Sequence, residues 1–421
     1  MAAQLYQTTS GRLFHAGAIA IITVGLPARG KTHVSRSLCR YLLWLGVQTR
    51  VFSVGNYRRQ LLGTMPNDFF DPNNQETTAQ RFEIAQKCLD DMISWLEAGG
   101  QKSDDPSWLK NYNPIKYRQV SPVFIESICN KQEIIDANIR SVKISSPDYI
   151  GWDPEEAVED FKHRIENHQP HYETITDLSL SFVKLMNVGE QIIVNNVNGY
   201  LQSRIVYYLL NLHITPRIIY FARNGESLNE SSYKADAELS EAGHAYAEKL
   251  KDFLLDHRER QGMENEQSIR PLTVWTSARK RSYQTAMHFV HDGVYVRQNP
   301  ALVERNPGEC DGLTPAKIKA RFPDEEAKAQ KDPYRHRYPR AESYHDLAVR
   351  VEPVILELER EKNDVLIIAH ESTIRCLYAY LMDRPAEDIP KIVIPRNYLI
   401  EIVPSAYGCK ETRMEILNIS A

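Results

Sequence analysis

The hydrophobic positions of this chain gather into short, dense runs that stop abruptly in charged or glycine-rich segments. Ile19-Ala20-Ile21-Ile22-Thr23-Val24 is apolar and β-branched, the composition of a strand. Behind a short loop, His33 to Leu45 carries Leu38, Leu42 and Leu45 at helical spacing before Gly46, which predicts a helix with a glycine stop. Thr49 to Gly55 reads as a second strand and Gln75 to Glu97 as a long amphipathic helix. Between Ala98 and Pro122 the pattern is poor: Gly99-Gly100, Asp104-Asp105-Pro106 and Asn111 to Pro114 mark turns, and no apolar run ends in Asp. Val123 to Cys129 restores a buried-type strand, followed by a helix from Lys131 to Val142. Asp153-Pro154-Glu155-Glu156 opens another helix with an N-cap Asp and Pro in the first turn. Phe182 to Asn187 and Gln191 to Val197 read as short closing strands, and Gly199 to Leu212 as a helix.

After the linker His213-Ile214-Thr215-Pro216 the alternation resumes. Strand Arg217 to Ala222 is followed by helix Ala242 to His257 and a polar stretch, Arg258 to Arg270. Strands Leu272 to Trp275 and Asp364 to Ala369 come later. Strands alternating with helices predict an α/β chain.

A chain of 421 residues is longer than one core usually serves, so two domains of about 200 residues each are expected. The linker places them at 1–213 and 214–421. An apolar fraction of 42% with 25% charged residues reads as globular. A net charge of −4 argues against general nucleic-acid or membrane-surface binding and leaves room for local basic pockets. The six cysteines are scattered without a C-x-x-C pair, as free thiols of a reducing compartment would be, and the N-terminal apolar run is too short for a membrane span. A cytoplasmic protein is the expectation.

The most specific chemistry lies at Gly25-Leu26-Pro27-Ala28-Arg29-Gly30-Lys31-Thr32, which fits G-x-x-x-x-G-K-[ST] between a strand and a helix. Glycines let backbone N–H groups close on phosphate oxygens, the helix start adds positive potential, Lys31 brings charge, and Thr32 offers a hydroxyl to Mg²⁺. Arg58 and Arg59 at the end of the second predicted strand would grip a sugar phosphate or form a solvated basic turn; the residues alone leave both readings open. Arg81 on its helix would ordinarily be a surface charge. In the second half, three apolar strands end near Arg223, Arg281 and His370 with polar neighbours, a convergence that describes an anion-binding α/β site.

Several longer motifs resemble the bifunctional 6-phosphofructo-2-kinase/fructose-2,6-bisphosphatase family. They are the loop at Gly25–Thr32, Val54-Gly55-Asn56-Tyr57-Arg58-Arg59, Phe124-Ile125-Glu126-Ser127-Ile128-Cys129 and Ser146-Pro147-Asp148-Tyr149. Gln202-Ser203-Arg204 with Tyr207-Tyr208-Leu209, Arg223–Glu226, Tyr338-Pro339 with Glu342-Ser343-Tyr344, and Ala406-Tyr407-Gly408-Cys409 extend the match. The resemblance implies a P-loop kinase domain followed by a histidine-phosphatase-like, phosphoglycerate-mutase-like α/β domain. The kinase would move the γ-phosphoryl of ATP, with Mg²⁺, to the 2-hydroxyl of fructose 6-phosphate. It further implies a nucleotide site at Gly25–Thr32 helped by Asn138 to Lys143, sugar-phosphate contacts at Arg58, Arg59, Arg81, Lys143 and Arg164, and Cys129 at the kinase site beside Lys31 and Thr32. A homodimer is compatible with the resemblance.

The chain leaves the family pattern in both halves. Asn224 stands where the resemblance places the nucleophilic histidine, and an amide nitrogen has no free lone pair for attack on phosphorus. Arg223, Arg281, Glu304, His370 and Arg375 remain. Ala329 and Pro333 replace a basic pair, Phe322 a tyrosine, and Glu371 a glutamine beside the bound sugar phosphate. In the first half, the strand ending in Asp-Ala-Thr-Asn-Thr expected between Leu96 and Val123 is absent, and His168 replaces a tyrosine. The expectation is a kinase with a catalytically silent phosphatase domain. The alternative is a nucleotide- and phosphosugar-binding protein with both sites dead, and an active bisphosphatase ranks last.

Overall fold

In a computed structural model the chain divides into two compact units, Met1–Ile214 with Ser405–Tyr407, and Thr215–Pro404 with Gly408–Ala421. The structure describes residues 18–65, 67–71, 73–98, 120–145, 147–149, 151–187, 189–213, 216–264, 268–405 and 408–416. The turn-rich 99–119, with Asp104 and Asp105, lies outside them.

In the first unit, β1 (Ala18–Val24) leads through the glycine loop into α1 (Lys31–Trp44). α2 (Val54–Leu62) and α3 (Gln75–Glu97) follow. Next come β2 (Val120–Ile128), α4 (Gln132–Ser145), α5 (Pro154–His168), β3 (Phe182–Met186), β4 (Gln191–Asn195) and α6 (Tyr200–Asn211). The sheet runs β1-β2-β3-β4, with the first three strands parallel and β4 antiparallel. Register pairs Val24 with Glu126, so the loop leaves β1 beside the end of β2. α5 begins as its sequence predicts, the Asp153 carboxylate accepting the N–H groups of Glu155 and Glu156 at 2.8 and 3.3 Å.

The strand expected over Thr49–Gly55 does not form. Residues 47–53 pair with no strand among the described residues, and the Ser53 hydroxyl accepts the Asn56 N–H at 3.4 Å, capping a helix that starts at Val54. The β-branched residues give a strand propensity, but a strand needs a neighbour while a capped helix supplies its own hydrogen bonds. Arg58 and Arg59 therefore sit on α2 instead of at a strand end.

In the second unit β5 (Ile219–Arg223), α7 (Glu241–Glu264), β6 (Leu272–Ser277), α8 (Lys280–His291) and β7 (Tyr295–Asn299) precede the short helices α9 (Pro315–Arg321) and α10 (Pro323–Lys331). α11 (Tyr344–Arg360), β8 (Asp364–Ala369), α12 (Glu371–Leu381), β9 (Tyr398–Ser405) and β10 (Gly408–Glu415) complete it. The strand order is β10-β9-β5-β8-β6-β7, parallel from β5 through β7, with β9 antiparallel to β5. Every residue of β6 and β8 is buried, which is why both are mainly apolar without alternation. α7 extends seven residues beyond the predicted His257, because the polar residues there cover a solvated face while Arg258 turns inward to Asp364 at 2.9 Å.

Candidate functional sites

The first site begins where β1 ends. Gly25 has φ +135°, and a Cβ there would lie 2.5 Å from the Ser127 carbonyl, so only glycine fits. Ala28 (φ 59°) and Gly30 (φ 80°) are left-handed and fold the loop back on itself. Asn138 on α4 donates to the Ala28 carbonyl at 3.0 Å, and the Ser127 hydroxyl to that of Arg29 at 2.5 Å. Gly30 caps α1 with no side chain, and no acidic residue stands in the first turn, so the helix start is left open to an anion.

Lys31 donates from Nζ to the carbonyls of Gly25 and Leu26, both at 2.6 Å. Burial, and then the neighbouring Arg29 charge, hold its amine down to about 8. Thr32 is exposed. Cys129, 4% exposed, packs beneath the loop with Ala28, Ile135 and Ile139. Lys143 lies on α4, and its side chain lies outside the described residues.

Arg58, Arg59, Arg81 and Arg164, drawn from three helices, meet around the turn Asn67–Phe70 and Asp148. Asp148 accepts two bonds from Arg58 at 2.8 and 2.7 Å and one from Arg59 at 3.2 Å. Arg164 pairs with Asp160 at 3.1 Å, its guanidinium 4.4 Å from the Phe70 ring centre, with that of Arg58 at 5.5 Å. Arg81 is no free surface charge: it donates to the Phe70 and Asp71 carbonyls, both at 3.2 Å. Burial first, and then the charges of Arg81, Lys31 and Arg164, hold His168 below its ordinary pKa. Asp160 and His168 stand four residues either side of Arg164 on α5, a spacing the sequence shows, whereas no sequence pattern marks Phe70 as their neighbour.

The loop and the open start of α1 fit a nucleotide's phosphates. The fit to a divalent cation is incomplete. Thr32 offers one oxygen, and among the described residues no group of three His, Cys, Asp or Glu side chains could hold a metal. Glu126, the carboxylate of β2, is fully buried and taken by Tyr172 at 2.5 Å, the Ile175 N–H at 3.2 Å and Lys184 at 3.2 Å.

The second site is a cavity of about 300 Å³ at the C-terminal ends of β5, β6 and β8. Arg223, Arg281, Glu304, His370 and Arg375 all line it, as does Asn224. Asn224 is buried; its N–H donates to the Ala369 carbonyl at 3.2 Å and its side-chain amide to that of Gly225 at 2.9 Å. The Ser277 and Ser282 hydroxyls lie 2.9 and 3.3 Å from His370 Nε2, and Glu304 lies 3.5 Å from Nδ1. Burial, reinforced by Arg281, Arg279, Arg223 and Arg350, holds His370 well below its ordinary pKa and therefore neutral. Burial also raises Glu304, against the pull of Arg281 and Arg279, as suits a proton donor. Arg305, Arg396 and Glu230 also line the cavity. Arg305 had a signal in its place beside Glu304, whereas Glu230 and Arg396 lie in loops without periodicity.

Comparison with known proteins accounts for both units. A family described as 6-phosphofructo-2-kinase matches residues 6–216, and the histidine phosphatase superfamily (branch 1) matches residues 219–416. The chain is 42% identical over 415 residues to the 6-phosphofructo-2-kinase/fructose-2,6-bisphosphatase 4 of Homo sapiens, covering 95% of this chain and 85% of the relative. It is 40% identical over 412 residues to a 6-phosphofructo-2-kinase/fructose-2,6-bisphosphatase of Caenorhabditis elegans, covering 93% of this chain and 88% of the relative. No helix among the described residues is long and apolar enough to cross a membrane.

Proposed function

Because the chain belongs to the bifunctional 6-phosphofructo-2-kinase/fructose-2,6-bisphosphatase family, we propose that its first unit is an ATP-dependent 6-phosphofructo-2-kinase and its second a phosphatase fold without hydrolytic activity. The chain acts in fructose 2,6-bisphosphate metabolism. The observation that carries the kinase reading is the open phosphate loop at the start of α1, with the four-arginine cluster around Asp148 and Phe70 in the same unit. ATP phosphates lie on the loop N–H groups and the start of α1, and Lys31 exchanges its two carbonyl partners for phosphate oxygens. Arg58, Arg59, Arg81 and Arg164 hold the sugar phosphate and align the 2-hydroxyl. That oxygen forms the new bond to the γ-phosphorus as the bond to the β,γ-bridging oxygen breaks. ADP departs, and the hydroxyl proton passes to solvent. Mg²⁺, when bound with ATP, neutralises phosphate charge, and Thr32 is the residue of this loop that would hold it.

The test is incubation of the protein with Mg-ATP and fructose 6-phosphate, scored for an acid-labile bisphosphate. Product from the wild type and none from Lys31→Ala supports the kinase. The engagement of Glu126 by Tyr172 and Lys184 favours one second reading, a nucleotide-binding protein without transfer, which predicts ATP binding and no product from either protein.

In the second unit, Asn224 supports silence because its nitrogen donates hydrogen bonds and cannot attack. The cavity remains an anion site for a phosphosugar in this reading. Phosphate release from fructose 2,6-bisphosphate that disappears in His370→Ala would overturn the silence. The chain is cytoplasmic in this reading, with ATP and fructose 6-phosphate as partners, no nucleic acid or membrane, and a homodimer to be tested by sedimentation.

A further inference from the structure

The cavity of the second unit is lined by five arginines and three glutamates. Four of the five arginines already lie against a carboxylate: Arg281 against Glu304, Arg396 against Glu230 at 2.5 Å, and both Arg223 and Arg375 against Glu371. Glu371 differs from the other two in spanning two of the lining arginines. It is the first residue of α12, and one carboxylate oxygen lies 3.2 Å from Arg223 while the other lies 2.5 Å from Arg375. The N-cap of that helix, His370, makes no side-chain cap, so the acid also answers the positive potential of the helix start. Each nitrogen of Arg375 is taken: Nε by the Ile392 carbonyl, Nη1 by the Tyr344 hydroxyl, Nη2 by Glu371. Two guanidinium groups and a helix N-terminus are what a protein assembles to bind a phosphate, and here one tethered carboxylate engages all three.

We propose that Glu371 is a built-in counter-anion that occupies the phosphate position between Arg223 and Arg375, so that a phosphorylated ligand enters the cavity only by displacing it. The inference rests on the reading of this cavity as an anion site. A ligand phosphate must take over two charge-assisted bonds, and it must approach a carboxylate that remains tethered at the start of α12. Like charges that close oppose each other strongly in a partly desolvated cavity. Arg305, whose guanidinium stacks 4.6 Å from the Tyr344 ring, is the lining arginine left to meet a weakly held anion.

The experiment titrates the full chain with inorganic phosphate by calorimetry, using the wild type, Glu371→Gln and Glu371→Gln/Arg375→Ala. Gln is nearly isosteric and removes only the charge, and thermal unfolding confirms that each protein is folded. The expected result is a Kd at least about tenfold lower in Glu371→Gln than in wild type, with the gain lost in the double variant. Because the phosphate loop of the first unit also binds phosphate, only the difference that depends on Arg375 is assigned to the cavity. Equal, tight binding by wild type and Glu371→Gln that is lost with Arg375 would overturn the counter-anion and leave the anion site standing. Binding insensitive to all these substitutions would overturn both.

Discussion

In the proposed reading the two sites solve the same problem, holding phosphate, with different parts of the chain. In the first unit the phosphate loop is made of backbone. Gly25 lies against Ser127, Ala28 and Gly30 are left-handed, and the charge of Lys31 rests on neutral carbonyls. In the second unit the cavity is made of side chains from strand ends far apart in sequence, and its cations rest on carboxylates. A backbone site tolerates change at most of its positions because the N–H groups persist whatever side chain is attached. A side-chain site depends on single residues, and in the proposed reading the exchange at Asn224 removes its nucleophile. A cation resting on carbonyls gives them up without leaving a charge unpaired, and one resting on a carboxylate does not.

The sharpest break in this comparison is at Lys31. Lys31→Ala leaves the loop backbone intact yet should lower kcat of the kinase about a thousandfold, since the charge that follows the γ-phosphoryl is gone. A stopped-time assay for the acid-labile product measures it. A loss below about tenfold would show that the backbone alone carries the phosphates.

The same contrast explains what could be read in advance. The loop is local, so eight consecutive residues with their strand and helix announced it, and the strand ends at Arg223 and His370 stood out because the apolar runs 219–222 and 365–369 lead into them. The partners of the cations were not legible. Asp148 reaches Arg58 across ninety positions of sequence, and Arg81 turns to carbonyls of a 3-10 turn that no periodicity marks. Residues 49–55 misled because β-branched composition records a preference that only a neighbouring strand can fulfil, and Ser53 offered a cap instead.

Within the first unit the arginine cluster is the part built like the second site, and it should be correspondingly fragile. Asp148→Ala strips Arg58, buried and bidentate, of its carboxylate and leaves a desolvated charge. The expected loss of stability is about 3 kcal/mol, read by urea unfolding at constant slope. A loss under about 0.5 kcal/mol would mean that water or another group replaces the carboxylate.

The second site yields a gain-of-function test. Asn224→His restores the ring nitrogen, but Glu371 still spans Arg223 and Arg375, so the single variant should remain silent toward p-nitrophenyl phosphate. Asn224→His/Glu371→Gln should exceed it by about a hundredfold. The ring nitrogen forms a bond to phosphorus as the bond to the phenolic oxygen breaks, that oxygen takes the proton held by Glu304, and water then releases phosphate. Equal rates in the two variants would show that the nucleophile alone silenced the site.

The smallest expected effect is that of pH, and it separates a lysine site from an arginine site. With Lys31 held down to about 8 in the unliganded protein, its charge is present below that pH and lost as pH rises through it. Bound phosphates favour the ammonium, so its pKa is higher in the complex and binding takes up a proton above about pH 8. The Kd for ATP should therefore rise with pH, by up to about tenfold per unit, until the pKa of the complex is passed. Phosphate binding to the cavity in Glu371→Gln should not follow this course, because guanidinium groups stay charged throughout and His370 is already neutral. Calorimetry in two buffers of different ionisation enthalpy measures the proton directly. Proton uptake for ATP and none for phosphate in the cavity would assign the titrating group to Lys31, and its absence for ATP would mean that the amine never leaves the carbonyls of Gly25 and Leu26.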